Sequence, residues 1–164
     1  MIKLIVLDVD GCLSDGKITY SADFIESKSF NVKDGLGIST WNRIGNFSAI
    51  ITGRDSTIVA HRAKELGITH YYQNIKDKER VLREIIVSLG VDFSEVAVIG
   101  DDLNDYRMLK LAGKSFTPNN GVKEIKEIVD VVLKKSGGDG AIREMIDILV
   151  DENSQREEFL SVWI

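Results

Sequence analysis

Apolar segments rich in Val and Ile alternate with amphipathic ones along the whole chain, and that alternation predicts a parallel sheet covered by helices. Short apolar runs at 2–8, 47–52, 69–72, 95–99, 114–117 and 130–133 read as strands. Apolar positions at helical spacing place helices at about 35–45, 55–66, 78–89, 103–112 and 121–128, with a last one near 140–150. Asp55 and Ser56 precede the second helix and Asp77 the third, while Gly67, Gly90 and Gly113 fall just past helix ends. The expected fold is a Rossmann-like, doubly wound α/β sheet in one domain spanning residues 1–164. One stretch breaks the rhythm. Residues 17–32, "KITYSADFIESKSFNV", hold two β-prone runs, Ile18–Tyr20 and Ser29–Val32, around a polar turn, which predicts an inserted hairpin. It is either a surface flap without a role or part of whatever the first strand presents.

At 164 residues the chain can enclose one core without disulfide or metal staples, and 43% hydrophobic with 29% charged residues is ordinary for a globular domain. No apolar stretch is long enough to span a membrane. The opening apolar run is too short for a signal peptide and leads into acids, and the lone Cys12 excludes an internal disulfide framework, so a cytoplasmic protein is expected. A net charge of −5 argues against a nucleic-acid partner, because counterion release needs a basic face. An acidic protein still binds an anion if a metal and a few cations gather at one point.

In a doubly wound sheet the residues just past the carboxyl ends of the strands converge on one crevice. The first strand, "LIVLDVDGCLSDG", delivers Asp8 and Asp10 there, and the second, "SAIITGR", delivers Thr52, Gly53 and Arg54. Lys76 and Lys78 follow the third strand, and the fourth, "VAVIGDDLND", ends in Gly100, Asp101, Asp102 and Asp105. Singly these are weak signals, since an Asp after a strand often caps a helix and a lysine at a helix start is usually solvated. Gathered at one spot, the carboxylates repel unless a cation neutralises them, and hard oxygen donors without a His or Cys cluster point to Mg²⁺. Such a metal beside a free carboxylate, a lysine and a hydroxyl suits phosphoryl transfer, with a carboxylate able to serve as nucleophile.

"LDVDG", "ITGR", the lysine of "KDKERV" and "GDDLND", in that order over residues 4–105, resemble the haloacid dehalogenase superfamily of phosphohydrolases. A finer resemblance covers nearly the whole chain through "DGKITYSADFIESKSFNVKDGLGI", "ITGRDSTIVAHRAKELGI", "YQNIKDK", "GDDLNDYRML" and "GGDGAIREMIDIL". These segments are similar to a capless family that removes phosphate from 3-deoxy-D-manno-octulosonate 8-phosphate, a sugar acid destined for lipopolysaccharide. The lack of a sizeable insertion other than 17–32 agrees with a capless enzyme. The resemblance implies Asp8 as nucleophile, forming an aspartyl phosphate, and Asp10 as the acid that protonates the leaving alkoxide and then activates water. It implies a Mg²⁺ site made by Asp8, the Asp10 carbonyl and Asp101, phosphoryl contacts from Thr52, Gly53 and Lys78, and supporting roles for Asp102 at the metal and Asp105 at Lys78. Lys76 is the neighbour most easily confused with Lys78.

Arg54, Lys33, Asp34 and Arg143 match positions that the resemblance puts near the sugar acid, some reaching across from another subunit of a homotetramer. For Arg143 a solvated helix cation is an equal alternative. Gly137, Gly138 and Gly140 read as a plain turn or as a mobile tail closing over substrate. The tail from Asp151, ending in "EEFLSVWI", either docks on a neighbour or frays. Cys12 is expected to be a small buried thiol, His61 and His70 surface or packing residues, and Trp41 part of the core. The nearest rival substrate is a nine-carbon keto-sugar acid phosphate, but its phosphatases resemble a pattern with an acid at the position of Arg54. A receiver-like signalling module and a non-catalytic sugar-binding subunit are rivals of other classes. Receivers put their accepting aspartate after an interior strand, and a built-in acid and base at Asp10 would discharge an acyl phosphate. The non-catalytic reading conflicts with the presence of every expected catalytic residue.

Overall fold

Every position of β1 (Leu4–Leu7) is buried, because the sheet is covered on both faces. The computed structural model describes residues 1–164. After β1 a wide turn, Val9–Leu13, leads to a hairpin of β2 (Thr19–Tyr20) and β3 (Glu26–Ser27), then α1 (Val32–Arg43) and β4 (Phe47–Ile51). The alternation continues through α2 (Thr57–Glu65), β5 (His70–Tyr72), α3 (Lys78–Leu89), β6 (Val96–Ile99), α4 (Tyr106–Leu111) and β7 (Lys114–Thr117). It ends with α5 (Lys123–Lys126), β8 (Val131–Val132), α6 (Ala141–Glu152) and α7 (Arg156–Ser161). The main sheet is parallel throughout, in the order β5-β4-β1-β6-β7-β8. The chain runs outward from β1 in one direction and from β6 in the other, so the topological switch point lies between them.

Successive side chains of a strand point to opposite faces, and the two cores divide accordingly. Ile5 and Leu7 pack with Trp41 of α1, Ala63 of α2 and Met145 and Leu149 of α6. Leu4 and Val6 pack with Leu82 and Ile85 of α3, Met108 of α4 and Ile125 of α5. Local signals set the helix ends: Asn31 accepts from the Lys33 N–H, Asp77 accepts from the Arg80 N–H, and Gly90 closes α3 in the left-handed conformation.

Three expectations are corrected. The returning strand of the hairpin is Glu26–Ser27 and not Ser29–Val32, because the Asn31 cap starts α1 at Val32 and leaves Phe30 only a single bridge to Ser14. The helix expected at 103–112 begins at Tyr106, after a tight turn at Leu103–Asp105 in which Asp102 and Asp105 cap each other's backbone. The fraying alternative for the tail is the one overturned: α7 buries Phe159 in the α1–α6 core, Trp163 Nε1 donates to Thr40 Oγ1 at 2.9 Å, and Arg156 pairs with Asp147 and Asp151, while Leu160 and Ile164 stay exposed.

Candidate active site

Register brings the strand ends together. Leu7 lies opposite Ile50 on one side and Ile99 on the other, so the chains leaving β1, β4 and β6 emerge at one level. Asp8, Asp10, Thr52, Gly53, Arg54, Asp101 and Asp102 line a crevice of about 200 Å³ there, together with Asn104, which the sequence reading did not single out. Gly11 makes the approach possible. It takes φ +96°, and a Cβ at this position would stand 2.0 Å from Asp101 Oδ2.

Lys78 opens α3 beneath the crevice, and its ammonium donates to Asp8 Oδ1 and Asp105 Oδ1, both at 2.6 Å. All three side chains are buried. Lys76 is exposed, so burial separates the two candidate lysines. The second oxygen of Asp105 accepts from the Asp101 and Asp102 N–H groups at 3.0 and 3.4 Å, so one carboxylate fixes both the lysine and the loop carrying Asp101. Asp102 is exposed and its carboxylate accepts from the Leu103 N–H.

The electrostatics show what the cluster lacks. Burial, then the charge of Asp105, pushes Asp8 well above the usual carboxylate range against the pull of Lys78. Burial with Asp105 and Asp102 raises Asp101 to about 6. Burial disfavours the charge of Lys78, but Asp8 and Asp105 outweigh it and hold the ammonium above its ordinary value. Oxygens of Asp8 and Asp101 and the Cys12 sulfur lie within 4.8 Å of one another. Of these donors the two carboxylates suit a hard divalent cation, whereas burial, then Asp8 and Asp101, pushes the Cys12 thiol up and keeps it protonated. The donor set therefore fits Mg²⁺, with Cys12 as a wall of the site.

Three anticipated substrate residues stand elsewhere. Lys33 and Arg143 line a separate cleft of about 430 Å³ beside α6, where Arg143 pairs with Asp147 at 3.0 Å and lies over the Phe159 ring. Asp34 is fully buried and accepts from the Arg143 N–H at 2.8 Å. It caps α6 from another helix, because the residue at that helix's own cap position, Gly140, has no side chain. Burial raises Asp34 to about 6, against the lowering effect of the Arg143 and Gly140 amides. The "GGDG" segment packs on the turn after β1: the Gly138 N–H donates to the Cys12 carbonyl at 3.0 Å, and a Cβ on Gly137 would stand 1.7 Å from the Gly11 carbonyl oxygen. His61 is exposed, His70 is half-buried, and Cys12 and Trp41 are in the core.

The hairpin supplies what sequence reading missed. Lys28 pairs with Asp10 and lies 3.4 Å from Glu26, and Arg54 donates to the Tyr20 hydroxyl at 3.1 Å. Glu26 and Lys28 are two residues apart on an extended segment and so share a face, a signal present in the sequence but hidden by the misplaced strand.

Fold and crevice together define a class, a doubly wound Rossmann-like α/β protein with acids, a lysine and a hydroxyl gathered at the switch point of its sheet. Comparison with known proteins carries this further. Residues 67–145 match the haloacid dehalogenase-like hydrolase family. The 3-deoxy-D-manno-octulosonate 8-phosphate phosphatase of Haemophilus influenzae is 36% identical over 96% of this chain and 88% of its own, and that of Escherichia coli K12 is 37% identical over 96% and 84%. The crystal structure of the Moraxella catarrhalis phosphatase of that name, in complex with magnesium, phosphate and KDO, superposes with a TM-score of 0.95 at 40% identity, covering 99% of this chain and 94% of that one. The chain belongs to the haloacid dehalogenase-like hydrolases and, within them, to the family of 3-deoxy-D-manno-octulosonate 8-phosphate phosphatases.

Proposed function

We propose that this protein hydrolyses 3-deoxy-D-manno-octulosonate 8-phosphate to the free sugar acid and inorganic phosphate, a step toward lipopolysaccharide. One observation carries the reading: Asp8 is held by Lys78 at the carboxyl edge of the sheet with Asp101 beside it and Asp10 two residues further on. Relatives that carry this substrate in their name cover nearly the whole chain.

In the proposed reaction an Asp8 oxygen attacks phosphorus, the bond from phosphorus to the sugar oxygen breaks, and Asp10 gives that oxygen its proton. Water then attacks the aspartyl phosphate, Asp10 takes the water proton, and the bond between Asp8 and phosphorus breaks to release phosphate. Lys78 neutralises charge on the phosphoryl oxygens and on the nucleophile, and the Thr52 hydroxyl donates to them. Gly53 gives the phosphoryl group close access to the backbone. Asp8, the Asp10 carbonyl and Asp101 would hold Mg²⁺, with Asp102 supporting them; the ion supplies positive charge that the equatorial oxygens need and that the three acids lack. Arg54 at the rim would take the substrate carboxylate through its planar fork, and an arginine at the position where phosphatases of the nine-carbon acid resemble a pattern with an acid favours the eight-carbon substrate.

The same reading makes the enzyme a cytoplasmic homotetramer with each site completed by a neighbour. It is supported by the placement of Lys33 and Arg143 in a cleft other than the crevice of their own chain, and by the hairpin tip, where Phe24 and Ile25 are 86% and 68% exposed. No helix is long and apolar enough to cross a membrane. The test is phosphate release from a panel of sugar phosphates, both keto-acid phosphates included, with and without Mg²⁺. Preference for the eight-carbon acid phosphate that vanishes without metal supports the reading, and preference for the nine-carbon one overturns it. Light scattering decides the assembly, where a fully active monomer would defeat the shared site.

A further inference from the structure

Lys28 follows β3 in the exposed hairpin, yet its side chain is wholly covered. Its ammonium meets Asp10 Oδ1, with Glu26 at 3.4 Å as its other acid. Glu26 lies 4.0 Å from the Arg54 guanidinium, so the hairpin ties the acid at one end of the crevice to the cation at its rim. Covering a lysine is costly unless carboxylates meet it, so Lys28 stays in place only through these contacts. A flap without a role gives no reason for that cost.

Asp10 needs such a partner. It sits inside the Val9–Leu13 turn in extended conformation at φ −77°, ψ 109°, next to the left-handed Gly11, where the turn's regular geometry is broken. We infer that Lys28 is a positioning residue for Asp10: it grips Oδ1 and leaves Oδ2 turned to the leaving oxygen of the substrate. Lys28 stays an ammonium and exchanges no proton in the reaction. The inference rests on the reading of Asp10 as acid and base.

General-acid assistance matters most when the leaving group is most basic, so the test is kcat/KM with Mg²⁺ across substituted phenyl phosphates of graded leaving ability. The wild-type protein is expected to depend shallowly on the leaving group and Asp10→Asn steeply. Lys28→Met is expected to follow Asp10→Asn, losing about 10- to 100-fold on the poorest leaving group and least on p-nitrophenyl phosphate. Lys28→Arg, which keeps the charge, should recover part of the loss, and Lys28→Gln replaces the Met variant if that one does not fold. A Lys28 variant that keeps the wild-type slope while Asp10→Asn steepens overturns the inference, as does a uniform loss across the series. A shallow slope in Asp10→Asn overturns the acid/base reading itself, and the inference with it.

Discussion

Asp8 and Asp34 are both buried acids with raised pKa values, yet they do opposite things. Asp34 stands apart from the crevice, with one oxygen on the Arg143 amide and the other without a partner, and it fastens α1 to α6. Asp8 stands where three strands end, shares a lysine with Asp105 and faces Asp101. Burial alone marks neither as functional. What separates them is convergence: around Asp8, groups from β1, β4, β6 and α3 meet with more negative charge than one lysine balances, and a ligand can complete the set.

The largest effect should come from Asp8→Asn, which is expected to lower phosphate release by roughly 10⁴-fold or more while circular dichroism stays native; Asp34→Asn, the same change at the other acid, should leave kcat within about threefold. Substantial turnover by Asp8→Asn would remove the contrast. Next comes Lys78→Met, which strands two buried carboxylates and should cost about 3 kcal/mol in urea unfolding at pH 7. The cost should shrink as pH falls, because burial and Asp105 hold Asp8 above its unfolded value and so favour its protonation. Third, Mg²⁺ added at 100 times its Kd to metal-free protein should add about 2.7 kcal/mol, or about 5–10 °C in Tm, and Asp101→Asn should erase that gain.

The smallest effect concerns Asp34. Its folded value of about 6 lies above the unfolded 3.8, so the folded chain binds this proton more tightly and the stability it gives is lost as pH rises through 6. Going from pH 7 to 5 should therefore stabilise the protein by about 1 kcal/mol through this group, and Asp34→Asn should flatten that part of the curve. Calorimetry at the two pH values, with Mg²⁺ present so that the crevice acids stay ionised, isolates it.

Most strands were legible because a sheet covered on both faces demands continuous apolar runs, and the strand at 114–117 falls at the expected residues. The crevice was legible for a related reason: in a doubly wound sheet, chain order alone fixes which residues leave at the carboxyl edge, so Asp8, Thr52 and Asp101 could be grouped before any coordinates. The hairpin was not, since its strands are two residues each and the helix cap at Asn31 competes for the same segment. Nor was α7, whose few turns draw their stability from Phe159 and Trp163 docking on distant residues and not from local propensity.

The sequence by itself determined the alternation of strands and helices, the edge on which the chemistry gathers and the residue types there, because periodicity and chain order are local properties. Only the tertiary structure decided which lysine is buried, that Asp34 caps a helix, and that Lys28 comes back from the hairpin to Asp10. Those outcomes depend on where a side chain ends in space after residues as far apart as Asp34 and Arg143 have packed, and the desolvation that decides between ligand, cap and partner exists only once the core has closed.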